Sequence, residues 1–288
     1  FMDTKELLKK VRKIEIKTRG LSKQVFSGEY HSAFKGRGMA FSEVRNYIPG
    51  DEIRTIDWNV TARFNEPYVK VFEEERELTV MLLIDISGSE SFGSDELLKR
   101  EFIAEIGAVL AFSATQNNDK IGAILFSDQI ELYIPPKKGR KHILRIIREL
   151  IEFKPKSNKT DIGKVVQHFN NLIKKRAIAF LISDFIGKDF ENALKITSKK
   201  HDLIALRVFD QREKELTDLG LSLFTDSETG KQKWVNTSSK RVREIYRNNA
   251  LSMEHKTLEI FKKSKVDHAN ISVQTGYIQP LMNLFKKR

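Results

Sequence analysis

The sequence predicts an α/β protein: a doubly wound, largely parallel sheet preceded by a small β-rich N-terminal substructure. Three observations carry this. From Leu78 onward, short apolar runs alternate with amphipathic stretches of helical length. Two of those runs, LTVMLLID and AIAFLISD, are nearly continuous in apolar residues, as strands buried on both faces are. Each of the two ends on an aspartate, Asp85 and Asp184, and the carboxyl ends of strands are where open α/β sheets bind ligands.

The elements follow in order. Residues 2–18 read as an amphipathic helix with Leu7, Leu8, Val11 and Ile14 on one side. Gly28, Gly36, Gly38 and the Pro49-Gly50-Asp51 turn then interrupt the chain, with AFSEVRNYI and PYVKVFE between them as short strands. After the LTVMLLID strand comes a long helix, ELLKREFIAEIGAVLAFSATQ. KIGAILFS and QIELYIP read as a strand pair. RKHILRIIRELIEF is a helix closed by Pro155, and DIGKVVQHFNNLI a helix with Thr160 or Asp161 as N-cap. AIAFLISD and DLIALRVFD are strands on either side of the helix KDFENALKITSKK. In the tail, LSLFTD and QKWVNT flank turn residues and suggest a hairpin. A long helix over SSKRVREIYRNNALSMEHKTLEIFKKS, a strand over HANISVQT and a short helix over QPLMNLFKKR complete the reading. The pattern places a boundary near residue 77, with an N-terminal region at 1–77 and the α/β domain at 78–288.

Composition narrows the function classes. With 288 residues the chain can bury a substantial core. It has no cysteine, which removes disulfides, thiolate catalysis and zinc–thiolate sites together and fits a reducing compartment. No apolar run approaches 18 residues and no charged-then-apolar leader opens the chain, so the expectation is a cytoplasmic protein with no membrane contact. The net charge is +12 and uneven: residues 137–176 carry 13 basic and 3 acidic side chains, while residues 78–136 carry 3 and 9. The basic stretch can attract an acidic protein or a nucleic acid, or it can be a solvated helix face.

The residues that carry chemistry are Asp85, Ser87 and Ser89 in DISGS, Thr160 in NKTD, and Asp184. Two strand-end carboxylates with three hydroxyls, and no Cys or His, form an all-oxygen set that suits a hard divalent cation, magnesium before calcium or manganese. Taken singly, each has a structural reading: Asp85 and Ser87-Gly88-Ser89 as an ordinary turn, Asp184 as a helix N-cap. Taken together they predict a metal site with one open position, completed by a partner's carboxylate. Lys154, Lys156 and Lys159 precede Thr160 and would rim that site, favouring an acidic partner surface.

In this order the residues resemble the metal-ion-dependent adhesion site of von Willebrand factor A domains, over about residues 78–210. The resemblance implies that the hydroxyls and one aspartate hold the metal and that a partner's acidic residue completes it. Glu90 stands where that family often has Met, and its carboxylate either takes the open position or faces solvent. The preceding block, GRGMAFSEVRNYIPGDEIRTIDWNVTARFNEPYVKVFEEERE, resembles the bacterial domain-of-unknown-function family fifty-eight. Its recognisable positions here are Arg45, Tyr47, Gly50, Asp51, Arg54, Asp57, Trp58 and Arg63. That resemblance implies association with MoxR-type AAA+ ATPases and a role in maturing or chaperoning other proteins. Physically, the block reads as a turn stapled by Arg–Asp pairs over a buried Trp58. The alternative is a docking surface for the ATPase.

Other classes fit less well. No Gly-Lys pair is followed by Ser or Thr in a Walker A loop, and neither Ser87 nor Ser89 sits in GxSxG. The six histidines show no HExxH. An aspartyl-phosphate phosphotransferase would use Asp85 with magnesium, but position 87 is Ser rather than a second acid. A nucleic-acid binder would use residues 137–176, which lack interleaved exposed aromatics. The sequence therefore favours a non-enzymatic, magnesium-dependent protein-interaction module.

Overall fold

The computed structural model describes residues 4–22, 30, 33, 34, 39–74, 77–87, 96–187, 189–225 and 231–288. Six strands form the central sheet: β3 (Thr79–Asp85), β4 (Lys120–Phe126), β5 (Ile130–Lys137), β6 (Ile178–Ser183), β7 (Asp202–Phe209) and β10 (Asp267–Ser272). Their order across the sheet is β10-β7-β6-β3-β4-β5. All neighbours pair in parallel except β4 and β5, the expected strand pair, which is antiparallel. The chain leaves β3 toward β4 on one side and later returns to β6 on the other. The carboxyl ends of β3 and β6 therefore meet at a switch point, where the crossovers diverge and leave a crevice.

Both faces of this sheet are covered, which is why its strands are apolar throughout. Side chains alternate along β3. Val80, Leu82 and Ile84 join one core with Ile106 and Leu110 of α3 (Glu96–Gln116) and Ile147 of α4 (Arg140–Glu152). Met81 and Leu83 join the other core with Val165 and Phe169 of α5 (Ile162–Leu172), Leu194 of α6 (Glu191–Lys200) and Phe261 of α7 (Lys240–Lys263). A one-residue slip would exchange the two sets, so the register is fixed by packing. The last helix, α8 (Ile278–Lys286), adds Leu281 and Phe285 to the first core.

The N-terminal helix α1 (Thr4–Leu21) uses the predicted face: Val11 and Ile14 are buried in the first core. Lys10 pairs with Glu101 at 2.7 Å, tying α1 to α3. The side chains of Leu7 and Leu8 lie outside the described residues, as do Gly28, Gly36 and Gly38. The two short strands of the signature block are β1 (Met39–Asn46) and β2 (Tyr68–Glu74), paired antiparallel in a sheet of their own. Between them lie a tight turn at Ile53–Thr55 and a two-turn helix, α2 (Trp58–Phe64). The tail hairpin is β8 (Leu221–Thr225) with β9 (Gln232–Asn236). Among the described residues, no helix is long and apolar enough to cross a membrane.

Candidate functional site

The switch point gathers four of the predicted residues. Asp85 ends β3 and is buried. One of its carboxylate oxygens accepts from the Ser87 amide at 3.0 Å, and the other from the Ser183 hydroxyl at 2.7 Å. Thr160 enters from the loop before α5, and its hydroxyl donates to Ser87 Oγ at 2.7 Å. Asp161 is the N-cap of α5, accepting from the Lys164 amide at 3.0 Å. Asp184 follows β6 and does not cap α6, whose N-cap is Phe190. Instead its Oδ1 accepts from the Ile186 amide at 2.9 Å. Ser89 and Glu90 lie outside the described residues.

The electrostatics of this cluster run against a free carboxylate pair. Burial, followed by repulsion from Asp184, pushes the Asp85 carboxyl up to about 7; the hydrogen bonds from Ser183 and Ser87 work the other way. A positive charge is already present. Lys99 of α3 is buried, with its ammonium 3.1 Å from Glu213 Oε1 and 3.9 Å from Asp184 Oδ2. The second distance is an ion pair but not a hydrogen bond, and among the described residues Asp184 Oδ2 has no hydrogen-bond partner. Burial also raises the Glu213 pKa, with Lys99 opposing it and Asp184 adding to it.

These features correct the metal expectation. Among the described residues, no group of three or more His, Cys, Asp or Glu side chains stands together to hold an ion. Both Asp85 oxygens are already hydrogen-bonded, and the Lys99 ammonium lies where charge compensation is needed. Magnesium or manganese is therefore withdrawn as a cofactor. Sequence reasoning missed Ser183, Lys99 and Glu213. A polar Ser183 at the end of an apolar strand was a readable signal. The meeting of Lys99 with residues 85 and 114 positions away was not.

The lysines predicted to rim the site, Lys154, Lys156 and Lys159, are exposed on the loop leading into Thr160. That loop is tied to the β4–β5 turn and the start of β5: the Lys156 amide donates to Glu131 Oε1 at 3.1 Å and the Asp161 amide to the Ser127 carbonyl at 3.3 Å. Further along the basic stretch, Lys138 is paired with Glu77 and Arg140 with Glu15.

Among the described residues the signature block holds one of the expected Arg–Asp pairs, Arg45–Asp51, but not over a buried Trp58, and Asp57 pairs with Lys70 instead. Arg45 forms a two-pronged pair with Asp51 at 2.7 and 2.8 Å, and the Ile48 amide donates to Asp51 Oδ2 at 2.9 Å. Arg45, and then the Ile48 amide, hold the Asp51 carboxyl down at about 2. Gly50 sits in the turn at φ +112°, a conformation L side chains resist. Tyr47 donates its amide to the Pro67 carbonyl at 2.8 Å, closing the strand pair. Asp57 caps α2, accepting from the Asn59 and Val60 amides at 3.0 and 3.3 Å. Trp58 is 67% exposed, and none of the α2 residues is buried. A two-stranded sheet with one short helix has no second layer to cover an indole. Arg54 and Arg63 are also exposed.

The fold and its switch-point crevice define a von Willebrand factor A-like, Rossmann-like α/β protein. The chain belongs to the family described as proteins of unknown function DUF58, whose model matches residues 43–256. It is 28% identical over 232 residues to Uncharacterized protein Rv1480 of Mycobacterium tuberculosis strain H37Rv, covering 80% of this chain and 73% of that one. Uncharacterized protein YeaD of Bacillus subtilis is 28% identical over 109 residues, 38% of this chain and 25% of its own. Among solved structures, BatB from Bacteroides thetaiotaomicron aligns with a TM-score of 0.44 at 16% identity, over 73% of this chain and 98% of that chain. An aerotolerance-related membrane protein from Bacteroides fragilis aligns at 0.48 and 16%, over 73% and 97%.

Proposed function

We propose that this protein is a non-catalytic protein-interaction module that docks on a MoxR-type AAA+ ATPase, serving the maturation or chaperoning of other proteins. One observation carries the reading. The block that holds the family signature presents four large apolar side chains to solvent: Ile48, Ile53, Trp58 and Phe64. They stand on a frame fixed by the Arg45–Asp51 staple and the Asp57 cap. Exposed aromatic side chains on a pre-organised scaffold are what binding hot spots are made of, because little entropy is lost on docking. Lys154, Lys156 and Lys159 serve a second purpose in this reading. They speed the approach of an acidic partner surface without contributing much to its residence time.

The test is direct binding of the purified chain to a MoxR-type ATPase from the same organism. Trp58→Ala is expected to weaken binding at least ten-fold while leaving the melting curve of the chain unchanged. Reversal of Lys156 and Lys159 to Glu is expected to slow association at low salt and leave dissociation alone. Chelation of divalent ions ahead of the measurement, with nucleotide omitted, is expected to change nothing. If Trp58→Ala binds as the parent does, the signature block is not the docking surface. Binding to nucleic acid that falls steeply with salt would favour the basic stretch instead.

A further inference from the structure

Helices α1 and α4 pack on the same side of the sheet, α1 through Val11 and Ile14 and α4 through Ile143 and Ile147, all in the first core. Arg140 at the start of α4 binds the buried Glu15 of α1, so the two helices adjoin. Their outward sides form one basic face. Lys9, Arg12, Lys13 and Arg19 of α1 and Lys141 and Arg145 of α4 are all exposed. Among the described residues none of these six cations forms an ion pair; the pairs that α1 and α4 make use Lys10, Lys17, Arg140 and Arg148. The acids described on the two helices do not offset the six. Glu15 is taken by Arg140, Glu149 lies against Arg148 at 3.1 Å, and the exposed Glu152 stands at the far end of α4. The Glu15 carboxyl registers the crowding. The Arg140 hydrogen bond, against burial, holds it below the ordinary carboxylate range, and the charges of Arg140, Arg19 and Arg12 add to this.

A solvated helix face normally mixes signs, because like charges three or four residues apart repel. Here Lys9 stands at that spacing from Arg12 and Lys13 with no acid between them. Amid the cations is Ile16, 69% exposed. Arg12 and Lys13 precede it by four and three residues and Arg19 follows by three, so they ring it on the helix surface. An exposed isoleucine alone needs no explanation. One set among cations that lack counter-charge calls for a partner that is anionic and also takes up an apolar side chain.

Three kinds of partner carry the complementary charge, and they differ in what they offer Ile16. Protein interfaces are depleted of charge at their centre, of lysine above all, whereas this centre is mostly Lys and Arg. Single-stranded nucleic acid needs aromatic platforms, and the exposed Trp58, Trp234 and Tyr246 stand instead on the signature block, the tail hairpin and α7. A duplex would set Ile16 against phosphates. An anionic lipid surface offers both parts: headgroup charge for Lys and Arg, whose stems lie along the interface, and a hydrocarbon boundary for the isoleucine.

We propose that α1 and α4 present a basic face that lies on an anionic lipid bilayer, with Ile16 entering the headgroup layer. The expectation of no membrane contact followed from the lack of a spanning run, which surface association does not require. This contact goes beyond the docking assigned to the signature block and does not depend on it.

The experiment floats the full chain with vesicles of phosphatidylcholine alone and of phosphatidylcholine with phosphatidylglycerol, at low and at high salt. Binding is expected to the anionic vesicles, about ten-fold or more above the neutral ones, and to fall with salt. Arg12→Glu with Lys141→Glu is expected to weaken it by about ten-fold or more. Lys174→Glu with Lys175→Glu makes the same change in net charge at an exposed site after α5, a helix of the second core, and is expected to leave binding near that of the parent. Ile16→Ser is expected to weaken binding about three-fold and keep its salt dependence. All these side chains are exposed, so the melting curves should match the parent's. Should the first double variant fail to fold, Lys9→Gln with Lys13→Gln is expected to weaken binding about five-fold. Equal binding to neutral vesicles, or none to anionic ones, overturns the proposal. So does a loss in Lys174→Glu with Lys175→Glu as large as in the face variant, which would make net charge alone responsible. Ile16→Ser that floats as the parent does leaves a polyanion face and overturns the bilayer assignment. Duplex DNA bound more tightly than the anionic vesicles, and lost in the face variant, overturns it in favour of nucleic acid. Trp58→Ala is expected to bind vesicles as the parent does, so the docking reading and this one fail separately.

Discussion

At the carboxyl edge of the sheet Asp85 is enclosed and its carboxyl rises to about 7, whereas in the signature block Asp51 lies part-exposed at the surface against Arg45 and falls to about 2. Each accepts two or more hydrogen bonds, so hydrogen bonding does not separate them. Solvent and neighbouring charge do. Asp85 has lost its water and faces a second carboxylate, with only hydroxyl and amide donors in return. Asp51 keeps part of its water and has gained a guanidinium matched to it in two places. A buried cluster of this kind holds its shape strictly and tolerates few changes, because every uncompensated charge there is expensive. A solvated staple fixes a local turn at little cost and leaves the surrounding surface open for contact. The molecule thus keeps a rigid polar centre in one region and an exposed apolar patch in the other.

The largest break in this comparison should come from Lys99. Lys99→Met removes the buried ammonium and leaves Asp184 and Glu213 without their counter-charge. The loss of stability should be about 3–5 kcal/mol, the usual cost of breaking a buried pair from one side. Chemical denaturation at pH 7 measures it. A loss under about 1 kcal/mol would mean that the centre reaches solvent and is not the closed network described above.

A second effect concerns pH. The Asp85 carboxyl is raised in the folded protein, from an ordinary 3.8 to about 7. Between those values the folded state keeps a proton that the unfolded chain has released. Its contribution is thus fully present below about pH 4 and is lost as pH rises through 7. Asp85→Asn resembles the protonated acid: its carbonyl can accept from the Ser87 amide and its NH₂ can donate to Ser183. The stability difference, variant minus parent, should grow from pH 4 to pH 7 and level off above it, by at most about 4 kcal/mol. His201 works in the opposite sense in the parent and variant alike, since burial lowers it to about 4 and its contribution is lost as pH falls through that value. The difference between the two proteins cancels it. A difference that stays flat from pH 4 to pH 8 would show Asp85 ionised throughout.

The two regions were not equally legible in the sequence. The strands β3 and β6 stood out because burial on both faces leaves an unbroken apolar run, and their terminal aspartates marked the switch point. The gathering of Asp85, Ser87, Thr160 and Asp184 followed from topology alone. What filled the charge of that gathering did not. Lys99 reads as an ordinary surface lysine within a helix, and only the packing of α3 on the sheet carries it inward. The reading of an all-oxygen set as a metal site erred for that reason. Trp58 failed in the opposite way. An indole among alternating charges suggests a buried anchor, yet among the described residues no layer covers it, and layers are a property of the whole fold.

The smallest effect is the one that sharpens the comparison. Asp51→Asn keeps the side-chain shape and the bond from the Ile48 amide but discards the ionic part of the Arg45 staple. Asp51 is held below its ordinary pKa, so its contribution is present above about pH 4 and is lost as pH falls toward 2. The pair is solvated, so salt should erase most of what it supplies. The melting temperature of Asp51→Asn should therefore lie slightly below that of the parent at pH 7 in low salt. The two should converge in 1 M salt, and also near pH 2. Parent and variant that stay apart at high salt would show that Asp51 is sheltered as Asp85 is, and the contrast between the two regions would fail. Convergence, with ATPase binding reduced in the same variant, would show instead that the staple's work is to hold Ile48 and Trp58 in place for a partner rather than to stabilise the fold.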